Sequence, residues 1–169
     1  MAFVSLRSIG LLLMEMTGER RIAARQDVVW AALNEPEVLK ASIPGCETLE
    51  KVSDTEFTAT VTVKVGPVKA KFNGRVTLSD IAAPSGYRIS GEGQGGLAGF
   101  AKGGATVTLS PDEDATVLRY AVTATVGGKI AQLGARLIDS TARKLADQFF
   151  VSFDEFVSDR NPPASAQVA

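Results

Sequence analysis

Histidine is absent from the 169 residues of this chain. That removes the usual general base at neutral pH and the commonest zinc ligand. Cys46 is the only cysteine. An internal disulfide, a Cys-His nucleophile and a cysteine-rich metal centre are therefore all excluded, and a reducing cytoplasm is the expected setting. Charge of one sign is missing too: 18 basic against 19 acidic residues give a net charge of −1, no reason to expect nucleic acid as a partner. Nor is there an apolar run long enough to span a bilayer. The run from Ile9 to Met14 is short for a signal peptide and leads into GERR rather than a small-residue cleavage site. No metal and no cofactor is expected.

What is present suffices for one core. Hydrophobic residues make up 45% of the chain and charged residues 22%, a balance that fits a single globular domain. The expected organisation is a disordered leader over 1–13, a domain over 14–158 and a disordered tail over 159–169.

The most periodic stretch is Lys129 to Val157. Ile130, Leu133, Leu137, Leu145, Phe149, Phe153 and Phe156 recur at three- and four-residue steps, while Arg136, Asp139, Arg143, Lys144 and Asp147 occupy the other face. One amphipathic helix of about 43 Å is predicted, closed by Asn161, Pro162 and Pro163. Such a helix needs a large apolar partner, and no other segment repeats its pattern.

The strands supply that partner. Phe57, Ala59, Val61, Val63 and Val65 alternate with polar residues, and after Gly66 and Pro67 so do Val68, Ala70, Phe72, Val76 and Leu78, a hairpin with one apolar face. Further strands begin at Tyr87 and Ile89, include Val107 and Leu109, and run through Leu118, Tyr120, Val122, Ala124 and Val126; residues 16–23 read as the first strand. Two short helices, Gln26 to Leu33 and Pro36 to Ala41, interrupt the β pattern. Strand runs followed by a long helix make an α+β, antiparallel layout. A seven-stranded sheet is wider than one helix can cover flush, so it must curl round the helix and leave a hollow suited to apolar ligands. The expected lining is Val61, Val63, Phe72, Tyr87, Ile89, Tyr120 and Val122 facing Leu133, Leu137 and Phe149.

Residues 91–104, GEGQGGLAGFAKGG, hold seven glycines in fourteen positions. No GKS or GKT follows, and no strand-helix-strand unit surrounds them, so a phosphate loop is not indicated. They read as a sharply bent hairpin whose Leu97 and Phe100 overhang the cavity mouth. Ile43, Pro44 and Gly45, in the IPGC turn, are expected to close the opposite rim. Lys64, Lys69, Lys71 and Arg75 fall on the outward face of the hairpin, with no acid between Phe57 and Ser79. They are either a solvated face that guards the sheet or a docking patch for an acidic protein or anionic membrane. Asp27, Glu35, Glu37, Glu47 and Glu50 read as solvated acids with no catalytic spacing.

MTGERRIAARQDVVWAALNEPEVLKASIPGCETLE, the glycine-rich GEGQGGLAGFAKGGATVTL and KIAQLGARLID together resemble the CoxG-like family of carbon monoxide dehydrogenase subunits, within the START-like (SRPBCC), helix-grip superfamily. The resemblance runs from about Glu15 to Val157. It implies a seven-stranded antiparallel sheet wrapped on the C-terminal helix, with two short helices after the first strand and an internal apolar cavity. It further implies a protein that is not itself the catalyst but accompanies a molybdenum-containing carbon monoxide dehydrogenase or related hydroxylase, and links it to the membrane or its quinones. The expectation is a quinone carrier in the cytoplasm, peripheral to the inner face of the membrane. The alternatives are a small cyclase- or hydrolase-like enzyme of the same superfamily, or an assembly factor whose cavity is incidental. Without histidine, an acid or base would have to be Asp, Glu, Lys or Tyr in an apolar pocket, which favours the carrier.

Overall fold

The computed structural model describes residues 3–6 and 10–160. Eight antiparallel strands form a single sheet: β1 (Phe3–Leu6), β2 (Leu11–Ile22), β3 (Cys46–Ser53), β4 (Glu56–Val65), β5 (Val68–Ala82), β6 (Gly86–Gln94), β7 (Phe100–Asp112) and β8 (Ala115–Gly127). Their order is β1-β2-β8-β7-β6-β5-β4-β3. Helices α1 (Gln26–Leu33) and α2 (Pro36–Ser42) carry the chain from β2 across to β3 at the far edge, and α3 (Ala135–Arg160) follows the last strand. The seven expected strands are β2 to β8, gripping the long helix; β1 is a short addition at one edge.

The two hairpin strands fold as their alternation dictates. Val65 pairs with Val68 around Gly66 and Pro67, and Phe57 lies opposite Val76. β3 had no such signal. Only Leu49 of its interior turns to the core while its neighbours are exposed, as suits an edge strand.

Four expectations are corrected. The leader is not free of structure, because Leu11 to Leu13 continue β2 in register with β8, and Phe3–Leu6 pairs with β2. Leu12 and Met14 are buried there and belong to the core. The C-terminal helix is not continuous over 129–157: Lys129–Leu133 is a 3-10 turn, Gly134 takes φ +98°, and the α-helix starts at Ala135. A positive φ cannot continue a right-handed helix, and glycine adopts it without strain. The helix also runs through Asp159 and Arg160, where a tail was expected; the rest of that tail, 161–169, lies outside the described residues. Finally, the buried positions of α3 are Ile138, Phe153 and Val157, while Phe156 is turned out.

Two apolar clusters hold the layers together. One packs Ile22, Val29, Val38, Leu118, Phe153 and Val157 beneath the short helices. The other packs Leu12, Val65, Val126, Ile130 and Ile138 at the opposite end of α3. Thr116, fully buried, donates its hydroxyl to the Ala24 carbonyl at 2.7 Å and so satisfies the chain where it leaves β2.

Candidate functional site

The concave face of the sheet does not close on α3 along its whole length. A cavity of about 500 Å³ remains. Met16 of β2, Leu49 of β3, Phe57, Ala59 and Val61 of β4, Phe72, Gly74, Val76 and Leu78 of β5, Tyr87, Ile89 and Gly93 of β6, Val107 of β7 and Leu118, Tyr120 and Val122 of β8 form its wall. Leu33, Leu39 and Ile43 cover one side, and Ala146, Phe149 and Phe150 of α3 form the roof. The two phenols are the only ionisable groups in this lining.

Of the expected lining, Val61, Phe72, Tyr87, Ile89, Tyr120, Val122 and Phe149 are in place. Val63, Leu133 and Leu137 are not. They pack in the second cluster, with Leu137 pressed over Gly66, where a Cβ would lie 2.7 Å from Leu137 Cδ2. The break at Gly134 puts Leu133 on a separate 3-10 turn, and Val63 and Leu137 lie at the end of the sheet and helix that the second cluster fills.

The rim is corrected more heavily. Ile43 alone of its five residues lines the cavity; Pro44 faces Gln148 and Val151 of α3 in a separate surface depression. Gly45 has φ +74°, and a Cβ there would sit 2.1 Å from the Thr62 carbonyl oxygen, so its role is a tight turn against β4. Leu97 is 97% exposed at the tip of the glycine-rich hairpin, and the Phe100 ring lies on Gly127. Neither overhangs the cavity.

The glycines instead hollow the sheet. Gly91 and Gly93 of β6 and Ala101, Gly103 and Ala105 of β7 share the face of Tyr87 and Val107, while Glu92, Gln94 and Lys102 point away. Gly93 pairs with Gly74, and Gly74 with Ala59, so three adjacent strands present almost no side chain to the cavity floor. A period-2 reading of 91–105, with glycine and alanine as the inward residues, was the signal available in the sequence.

Aromatic rings fix the rest of the wall. Trp30 meets Tyr87 edge to face at 5.4 Å, Tyr120 stacks on Phe150 at 5.6 Å, and Phe149 stacks on Phe153 at 5.5 Å. Arg20 reaches up beside this wall, with its guanidinium 5.4 Å from the Phe150 ring and paired with Asp147 of α3. That pair straps the helix to β2. Burial pushes the Tyr87 phenol up to about 12, so it stays protonated at any physiological pH. Burial also raises the Cys46 thiol, only partly offset by Lys40, and its Sγ contacts the Thr48 carbonyl; nothing there makes a reactive thiolate.

The basic patch survives in part. Lys71 pairs with Glu47 at 3.1 Å and Arg75 with Glu56 at 2.9 Å, acids that come from the flanking strand and from the residue just before Phe57. Lys64 and Lys69, directly opposite each other at the hairpin end, keep their charge exposed. Among the described residues no three His, Cys, Asp or Glu side chains converge as a metal site would need, and no helix is long and apolar enough to cross a membrane.

The profile of the CoxG family of carbon monoxide dehydrogenase subunits matches residues 18–158. The chain belongs to that family. As a CoxG-like protein it is tied to a carbon monoxide dehydrogenase system as an accessory subunit. Its fold is similar to that of a conserved protein from Geobacillus kaustophilus, 28% identical, with a TM-score of 0.81 over 86% of this chain and 96% of that one. Two further structures share the fold at 12% identity and a TM-score of 0.66. The Zhui aromatase/cyclase from Streptomyces sp. R1128 aligns over 88% of this chain and 95% of its own. A START superfamily protein from Mycobacterium smegmatis aligns over 87% and 99%. No curated protein matches the chain. The CoxG-like chain thus has the helix-grip fold of the START-like superfamily.

Proposed function

We propose that this CoxG-like protein is a non-catalytic carrier that shelters a lipophilic small molecule, a quinone in the first instance, and hands it to a molybdenum-containing carbon monoxide dehydrogenase or related hydroxylase. The observation that carries this reading is the cavity of about 500 Å³, walled by aliphatic and aromatic side chains with two phenols as its only ionisable groups. Such a wall takes up apolar surface and offers no acid-base pair to a substrate. The carrier works in the cytoplasm and touches the inner face of the membrane peripherally. Lys64 and Lys69 provide its docking charge toward anionic lipid or an acidic partner.

Organic extraction of protein purified from its own cells, followed by mass spectrometry, tests this directly. A stoichiometric quinone supports the carrier. Extracts free of any lipophile, together with no uptake of added quinone, would leave the cavity incidental, and a chemically altered quinone would make the protein an enzyme.

A further inference from the structure

Tyr87 is 8% exposed, and among the described residues nothing hydrogen-bonds its hydroxyl. It lines an apolar cavity, where an unpaired hydroxyl is costly. Its ring is not free to turn elsewhere, since the edge-to-face contact with Trp30 and the cross-strand neighbour Val107 hold it. No side chain or backbone group of the described residues supplies a partner, so one must come from what fills the cavity, water or a ligand. Six residues further along β6, about 20 Å for an extended strand, Gly93 begins the side-chain-free floor with Gly74 and Ala59. That floor, bare of side chains, leaves an extended path along β6 from Tyr87 for a chain-shaped ligand.

Resting on the carrier reading, we propose that Tyr87 is the head-group anchor of the cavity, and that the site selects a neutral, chain-shaped lipophile whose terminal oxygen accepts the hydrogen bond of its phenol. The chain of the ligand lies along β6 toward Gly93. Charge in the head group is selected against, because no cationic or anionic side chain lines the cavity and a carboxylate or phosphate would be buried without a counter-ion. Arg20, which meets Phe150 from outside the lining, pairs through Nη2 with Asp147, while its buried Nε has no partner among the described residues. With its pKa pushed to about 12, the phenol remains a donor throughout the physiological range.

The probes are 2-tridecanone, tridecane and dodecanoate at pH 8, titrated into the full chain. Trp30 is the only tryptophan and touches Tyr87, so its emission reports on this end of the cavity, with calorimetry as the check. The ketone should bind about five- to tenfold more tightly than the alkane to the unaltered protein, and the two should be equal in Tyr87→Phe. Dodecanoate should bind more weakly than the ketone. The carbonyl stretch of bound 2-tridecanone should fall in frequency on the unaltered protein, a readout that needs no variant to fold. An unshifted stretch, or ketone and alkane binding alike, overturns the anchor while leaving the carrier standing; dodecanoate binding best overturns the selection for a neutral head. Failure of all three probes to bind overturns the carrier reading itself.

Discussion

The ring of Tyr120 lies across Gly18, its direct partner in the β2–β8 ladder, so closely that a Cβ on residue 18 would be 2.2 Å from the phenol oxygen. Glycine in mid-strand costs about 0.5–1 kcal/mol relative to alanine, yet here it lets a large ring lie flat against the wall and leaves the cavity open. Gly18→Ala should therefore push the ring into the cavity and off Phe150, destabilising the protein by about 1–3 kcal/mol and weakening probe binding. Adding Tyr120→Leu should recover most of that loss, a coupling that a thermal-denaturation double-mutant cycle will read. Additive effects would mean the two residues do not share this contact.

Gly93 offers the opposite case. A Cβ there would meet Phe72 at 3.7 Å, an ordinary contact, in a strand with room on its inner face. Gly93→Val should fold with equal or slightly greater stability, by up to about 1 kcal/mol, while lowering probe affinity at least about tenfold by occupying the floor. Calorimetry with 2-tridecanone separates the two effects. Unchanged affinity would place the ligand away from the floor.

Tail length should matter. Each methylene moved into the cavity is worth about 0.8 kcal/mol, so affinity should climb about fourfold per carbon and level off when the space is full. Quinones of increasing isoprenoid length, titrated against the full chain, test this. An affinity flat with tail length would place binding outside the cavity.

The exposed charges should divide into two pairs. Reversing Lys64 and Lys69 to Glu should weaken co-sedimentation with anionic vesicles in a salt-dependent way and leave the melting temperature nearly unchanged. Reversing Lys71 and Arg75 sets like charges beside Glu47 and Glu56, and should lower the melting temperature instead. Equal behaviour of the two pairs would return Lys64 and Lys69 to ordinary solvated surface.

Tyr87 adds a pH dependence. Its phenol titrates at its ordinary value of 10 in the unfolded chain and about 12 in the folded one, so only the unfolded state gives up the proton in that window. Its contribution to stability should be constant below pH 10 and fall between 10 and 12. Tyr87→Phe should flatten that part of a urea-denaturation series taken against pH.

Local pattern was enough for the antiparallel sheet, the β4–β5 hairpin, the two short helices and the long final one. Period-2 and period-3.6 burial are properties of neighbouring residues, and seven of the ten expected lining residues, from Val61 to Phe149, followed from those periods. Three things depended on contacts far apart in the chain. Gly134 is an ordinary glycine in sequence; its positive φ breaks the helix only in the fold, and packing of Leu137 over Gly66 and of Leu133 in the second cluster takes both leucines off the cavity. The basic patch lost half its free charge because Glu47 and Glu56 are brought beside Lys71 and Arg75 by strand pairing, which no spacing along the chain records. The glycine-rich segment reads as a bent rim hairpin because glycine is permissive by itself. Only the pairing of β5, β6 and β7 turns those glycines inward together, and the volume they leave empty is a property of the assembled sheet.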